Sequence, residues 1–220
     1  RKIQNDKMKV LVEQVDVIPL ILKIYGNFVP MAHTHRIDFR LFCPLDSFVM
    51  YTDVDKLEKI LFNLLSNAFK YTPDEKSISL SVTCEKQILC LQVKDEGRGI
   101  NAQKLNRLFT RFDTLDEIDP NMSTGIGLSL VKELLNVLHG TVRVDSKLGE
   151  GSSFSIRLRG NRDVFDADAN IEFILADSKN SGQEVAIPDK LTEEEEDKET
   201  RILIIEDNEE LRHFICGVLA

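Results

Sequence analysis

The sequence predicts an α/β fold in which a mixed sheet is covered by helices on one face. Three observations carry that prediction. In SISLSV (77–82) and ILCLQVKD (88–95) apolar residues recur at every second position, the period of a strand with one buried face. In KLEKILFNLLSNAFKYT (56–72), Leu57, Ile60, Leu61, Leu64, Leu65 and Ala68 form one apolar stripe at helical spacing. Helical and strand patterns then alternate along most of the chain, the order expected of a layered α/β architecture.

Taken in order, residues 1–15 read as the end of a helix, polar, free of Gly and Pro, and starting without a capping residue. Such a start is expected where a longer helix runs in from upstream. LILKIYGNFVPMA (20–32) keeps Leu20, Ile21, Ile24, Phe28 and Met31 at roughly helical spacing and predicts a helix packed on the sheet. RIDFRLF (36–42) alternates Ile37, Phe39 and Leu41 with polar residues and predicts a half-buried strand. Asp53 and Asp55 lead into the 56–72 helix, and the strands at 77–82 and 88–95 follow. By parity Asp95 continues the inward face of the second strand. A helix over about 126–138 and strands around 141–145 and 153–159 complete the layout.

Residues 161–200 lose the pattern and carry the acidic run TEEEEDKE (192–199), which reads as a solvated linker rather than a metal site. Order returns in RILIIEDNEELRHFICGVLA (201–220), a buried strand, an acidic pair and the opening of a helix, too little to bury a core alone. The expected organisation is therefore a partial helix over 1–16, a main domain over 17–160, a linker over 161–200 and a truncated domain over 201–220.

Composition narrows the function classes. A chain of 220 residues with 42% hydrophobic content can bury a full core, and a net charge of −9 without a basic stripe argues against nucleic-acid binding. Cys43, Cys84, Cys90 and Cys216 show neither CxxC nor Cys/His spacing, so reduced thiols of a cytosolic protein are expected. No run of about 18 apolar residues marks a membrane span.

The chemistry concentrates in three motifs, none of them a P-loop. In NLLSNAFKYT (63–72), Asn63 and Asn67 share one helical face, with Lys70 and Tyr71 a turn further on. Polar residues on a solvated face have the same spacing. Asn, however, is a weak helix former, and amide oxygens can complete a magnesium shell while a lysine offsets phosphate charge. In DEGRGI (95–100) a carboxylate at the end of an apolar face needs donors, which an adenine amino group supplies, and Gly97 and Gly99 let backbone approach a flat ring. In STGIGLSL (123–130), Gly125 and Gly127 precede an apolar helix whose free N–H groups can face phosphates. Each glycine turn alone fits a plain loop; three such elements in this order make coincidence improbable.

These motifs resemble the N, G1 and G2 boxes of the catalytic ATP-binding domain of bacterial sensor histidine kinases, in the GHKL or Bergerat superfamily. LFTRF (108–112) is similar to its F box, and GEGSSF (149–154) to its closing motif. The resemblance implies a two-layer α/β sandwich holding ATP and Mg2+ between the helices and a lid. On this resemblance Asn67 holds magnesium with help from Asn63, Lys70 contacts phosphate, Tyr71 lies along the nucleotide and Asp95 reads the adenine amino group. Gly97, Gly99 and Ile100 shape the adenine pocket, while Thr124, Gly125, Gly127 and Leu128 bring backbone to the phosphates. Residues 101–124 form the lid, which Phe109 and Phe112 anchor unless they serve ordinary core packing. Ser123 stands where the family often has Gly, and either restricts the hinge or donates to phosphate.

The ATP-hydrolysing relatives carry Glu where this chain has Asn63, and Asn is a poor base, so the resemblance implies transfer to a histidine rather than hydrolysis. The acceptor histidine belongs to an upstream helical hairpin that is absent here, and His33, His35, His139 and His213 lack its setting. ILIIEDNEELR (202–212) is similar to the opening of a receiver domain, with Glu206 and Asp207 as part of its magnesium site. The implied parent is a hybrid kinase, homodimeric through the hairpin, in which this segment is cytoplasmic and touches neither nucleic acid nor membrane. A GHKL ATPase and a non-catalytic docking module are the alternatives.

Overall fold

The computed structural model describes residues 9–105, 107–110, 127–166 and 170–174. All of them fall in the first of the two units into which the chain divides, Arg1–Ser181; the second, Gly182–Ala220, lies outside them.

The main sheet has five strands in the order β2-β4-β5-β7-β6. These are β2 (Asp38–Phe42), β4 (Ser77–Glu85), β5 (Ile88–Asp95), β6 (Thr141–Lys147) and β7 (Gly151–Arg159). β2 runs parallel to β4 and every other pair is antiparallel, so the sheet is mixed. Its inner face is the alternating set that the sequence marks: Ile78, Leu80, Val82, Leu89, Leu91 and Val93 are buried, joined by Phe154, Ile156 and Leu158. The outer face is polar, with the Gln92 amide donating to the Ser153 hydroxyl at 3.0 Å.

Three helices cover the inner face: α1 (Val17–Thr34), α2 (Val54–Tyr71) and α4 (Gly127–Val137). All six stripe residues of α2 are buried. In α1 the buried set is Val17, Ile18, Ile21, Ile24, Phe28 and Ala32; Met31 is exposed and Ala32 takes the inward place expected of it. Pro19 sits in the first turn, where no intrahelical donor is needed. A single turn, α3 (Ala102–Leu105), follows β5.

Two expectations fail, for one reason. Residues 10–16 are a strand, β1 (Val10–Asp16), not the end of a helix; residues 1–8 lie outside the described residues. Val10 and Val12 are buried while Leu11 between them is exposed, which is strand periodicity. β1 pairs antiparallel with β3 (Val49–Thr52), a strand that the sequence pattern did not reveal, and parallel with β8 (Ile171–Phe173). The expected linker therefore contributes structure: after a 3-10 turn at Arg162–Val164, Phe165 is only 2% exposed and β8 completes a second sheet, β3-β1-β8. β3 and β8, of four and three residues, are too short to show a period, and pairing partners far away in sequence set the conformation of all three strands.

Asp16 and Asp53 join this second sheet to the helices. Asp16 Oδ1 accepts from Ile18 N at 3.1 Å, capping α1, and from Phe48 N at 3.0 Å. Those bonds hold its carboxyl below the ordinary carboxylate range, the Phe48 bond contributing most. Asp53 caps α2 by accepting from Lys56 N at 3.1 Å, and its Oδ2 accepts from Leu11 N of β1 at 2.8 Å and from the Lys56 ammonium at 2.6 Å.

Candidate nucleotide site

Helix α2, strand β5 and the start of α4 converge on one hollow. Six residues expected at the site line it: Asn67, Tyr71, Asp95, Gly99, Ile100 and Leu128. Arg98, Ser152 and Phe154 line it as well; they lie in DEGRGI and GEGSSF, but the motif reading assigns none of them a role at the site. Arg98 is hidden in a turn motif whose glycines dominate the reading. Ser152 and Phe154 come from β7, which reaches the hollow only because it pairs with β5, with Asp95 opposite Ser152.

Asp95 is the last residue of β5 and, as its parity predicts, faces inward, 6% exposed. Its Oδ1 accepts from Gly97 N at 2.9 Å and from Ser152 N at 3.3 Å. Burial pushes the carboxyl above its ordinary value, and the two N–H donors pull against that shift without cancelling it. Both backbone donors fall on Oδ1, so Oδ2 is the oxygen available to a donor entering the hollow. A buried acceptor under this strain gains more from an incoming N–H than a solvated one.

The glycines of DEGRGI act on protein backbone more than on the hollow. A Cβ on Gly97 would lie 2.5 Å from the Tyr71 carbonyl oxygen and 2.7 Å from Asp95 Oδ1. Gly99 has φ +66°, and a Cβ there would lie 2.0 Å from the Lys147 carbonyl oxygen. The turn is thus pressed between the end of α2 and the β6–β7 hairpin, where Arg98 N donates to Tyr71 O at 3.3 Å and Gly149 N donates to Arg98 O at 2.8 Å. The Ser146 hydroxyl lies at the back of this joint, accepting from Ile100 N at 2.8 Å and donating to Gly151 O at 2.9 Å.

Along α2, Asn63, Asn67 and Tyr71 follow each other at four-residue steps on one face. Asn63 does not line the hollow itself. Its Nδ2 donates to Lys59 O at 2.7 Å, and its Oδ1 stands where a Cβ on Gly127 would come within 2.9 Å. Asn63 therefore marks the end of the site beside the start of α4, and Asp95 the opposite end beside Tyr71. Lys70 sits outside the lining, its ammonium 5.0 Å from the centre of the Tyr71 ring. Phe109 is half-buried against the core, consistent with the packing alternative. Ser123, Thr124, Gly125 and Phe112, and Glu206 and Asp207 further on, lie outside the described residues.

The donor set suits a purine nucleotide. A buried carboxylate stands at one end, an amide face with neutral oxygens runs along the side, and the first turn of α4, which begins at Gly127, closes the far end. Among the described residues no histidine lines the hollow.

Comparisons with known proteins agree with this geometry. A family model described as histidine kinase-, DNA gyrase B-, and HSP90-like ATPase matches residues 52–162. The chain is 32% identical over 86% of its length to the circadian input-output histidine kinase CikA of Thermosynechococcus vestitus, and 28% identical over all of it to histidine kinase P4 of Formosa agariphila. It spans 25% and 17% of the lengths of those two relatives. Among solved structures, full-length ShkA in complex with AMPPNP superposes with a TM-score of 0.58 at 26% identity, over 67% of this chain and 30% of that one. The α/β sandwich, the gathering of Asn67, Tyr71, Asp95 and Gly99 on one hollow, and these likenesses lead to one conclusion: the chain belongs to the family of histidine kinase-, DNA gyrase B- and HSP90-like ATPases.

Proposed function

We propose that this chain is the ATP-binding part of a sensor histidine kinase, which binds ATP with magnesium and presents the γ-phosphate to a histidine. The observation that carries the reading is Asp95: a buried carboxylate with its backbone donors on one oxygen, at the end of a hollow whose long side is the Asn67 face. Asp95 binds the adenine amino group, Asn67 and Asn63 turn amide oxygens toward the phosphate end, and Lys70 offsets phosphate charge. Magnesium bound there would neutralise the β- and γ-oxygens. In the transfer the bond from the γ-phosphorus to the bridging oxygen breaks, a bond to an imidazole nitrogen forms, and ADP leaves.

Asn63 favours transfer over hydrolysis. It cannot take a proton from water, and its Nδ2 is already committed to Lys59 O. The acceptor histidine lies on a helical hairpin of the same or a partner chain in a homodimeric parent, and the phosphate passes on to a receiver aspartate, with Glu206 and Asp207 belonging to the receiver's magnesium site. Names of the relatives support this reading. The reaction belongs in the cytoplasm, where ATP is; no helix among the described residues is long and apolar enough to cross a membrane.

Calorimetric titration with ADP and a non-hydrolysable ATP analogue, with and without magnesium, tests the reading. Saturable, magnesium-assisted binding that Asp95→Ala abolishes is expected, together with phosphate release no faster than buffer alone. Absence of binding by the folded chain would overturn the nucleotide reading in favour of a docking module. Steady phosphate release would favour an ATPase.

A further inference from the structure

The turn 95–100 places one cation against the hollow, Arg98, to which neither motif chemistry nor the proposed phosphate contacts give a role. Its backbone is fixed on both sides by the bonds to Tyr71 O and from Gly149 N. Its side chain is exposed, lines the hollow, and sets its guanidinium carbon 4.4 Å from the centre of the Tyr71 ring. Tyr71 is the last helical residue of α2, two steps of four beyond Asn63, which touches the start of α4. Arg98 therefore stands at the Asp95 end of the hollow, away from the phosphate end.

We propose that Arg98 binds the nucleoside half of the nucleotide, a role that rests on the nucleotide reading above. A guanidinium is flat, offers five N–H donors and no acceptor, and is weakly hydrated, so it both stacks on an aromatic ring and donates to ring nitrogens or ribose oxygens. Tyr71 holds it in that orientation through its π face, which lowers the entropy lost when a ligand arrives. Asp95 and Arg98 then form a complementary pair for adenosine: Asp95 accepts from the exocyclic amino group, and Arg98 donates to the acceptors of the same moiety. Lys70, on the same ring of Tyr71, remains for the phosphates.

The test is a calorimetric titration of the whole chain with ADP, AMP and adenosine, comparing Arg98→Ala, Arg98→Lys and Asp95→Asn. Arg98→Ala should weaken all three ligands by the same factor, about five- to thirtyfold, from a cation–π contact and one charge-assisted bond. It should leave the magnesium dependence of ADP binding unchanged, and its thermal unfolding should stay cooperative, which shows that the variant is folded. Arg98→Lys should recover only part of the loss, since an ammonium keeps the charge but not the planar fork. A loss confined to ADP and AMP would move Arg98 to the phosphates and overturn the proposal, as would affinities within twofold of the parent for all three. If the parent chain binds none of them, the nucleotide reading itself fails; if the parent binds and only Asp95→Asn does not, this inference alone falls.

Discussion

Asp53→Asn tests the joint between the second sheet and the helix that carries the site. Asp53 and Lys56 have side chains only 4% and 8% exposed, with Nζ 2.6 Å from Oδ2. The same carboxylate caps α2 and accepts from Leu11 N of β1. Asn has nearly the same shape and keeps one acceptor oxygen, so it can serve the cap or Leu11 but not both. What it cannot do is balance the buried ammonium. An exposed ion pair would contribute about 0–1 kcal/mol, but removing one partner of a buried pair costs about 3–5 kcal/mol because the remaining charge is left without water or counter-charge. Losing one capping or β1 bond raises the cost by roughly 1 kcal/mol. With a urea slope of about 2 kcal/mol/M, the unfolding midpoint followed by circular dichroism should fall by about 2–3 M. The double variant Asp53→Asn, Lys56→Met removes both charges at similar volume and should recover most of the loss. A single-variant cost under about 1 kcal/mol, or a double variant no more stable than Asp53→Asn, would refute the account of a buried, charge-balanced joint.

Other outcomes follow from the same structure. Phe165→Ala should cost about 3–5 kcal/mol in a denaturation experiment, because its ring is buried and leaves a cavity; a loss under about 1 kcal/mol would mean that the segment after β7 is not part of the core. Asp95→Asn should abolish ADP binding yet stabilise the nucleotide-free protein at neutral pH. The folded carboxyl is raised above its ordinary 3.8, so ionising it weakens the fold as pH climbs from 3.8 through the raised value, and the advantage of Asn should fade as pH falls below 3.8. A parallel pH dependence of Tm in parent and variant would contradict this. Gly99→Ala should cost at least about 1–2 kcal/mol for the left-handed backbone alone and more for the contact with Lys147 O, with ADP binding lost alongside; a Tm equal to the parent's would show that the turn can relax.

Much of the fold was legible in the sequence wherever a segment was long enough to display a period. The α2 stripe and the inner faces of β4 and β5 are buried as patterned, and the inward parity of Asp95 led directly to the end of the hollow. The site was legible in part for a different reason: Asn63, Asn67, Asp95 and the glycines are residue types that their local structure disfavours or specially requires, so each needed an explanation. For the glycines the structure shows a cause that residue type did not reveal, since Gly97 and Gly99 make room for the backbones of Tyr71 and Lys147. Arg98, by contrast, is an ordinary exposed residue type in a turn, and its position over the Tyr71 ring is a product of the tertiary structure.

By itself the sequence determined the periodic elements, the nucleotide motifs and their order, because these are local properties of side-chain spacing and residue type. Only the tertiary structure decided that 10–16 is a strand, that 49–52 and 171–173 pair with it, and that Phe165 is core. Strand pairing joins residues far apart in sequence through backbone bonds that any side chain permits, and a three- or four-residue strand is too short to leave a periodic trace. The same holds at the hollow, where Ser152 meets Asp95 across the β5–β7 ladder, a neighbour 57 residues away that no spacing rule could name.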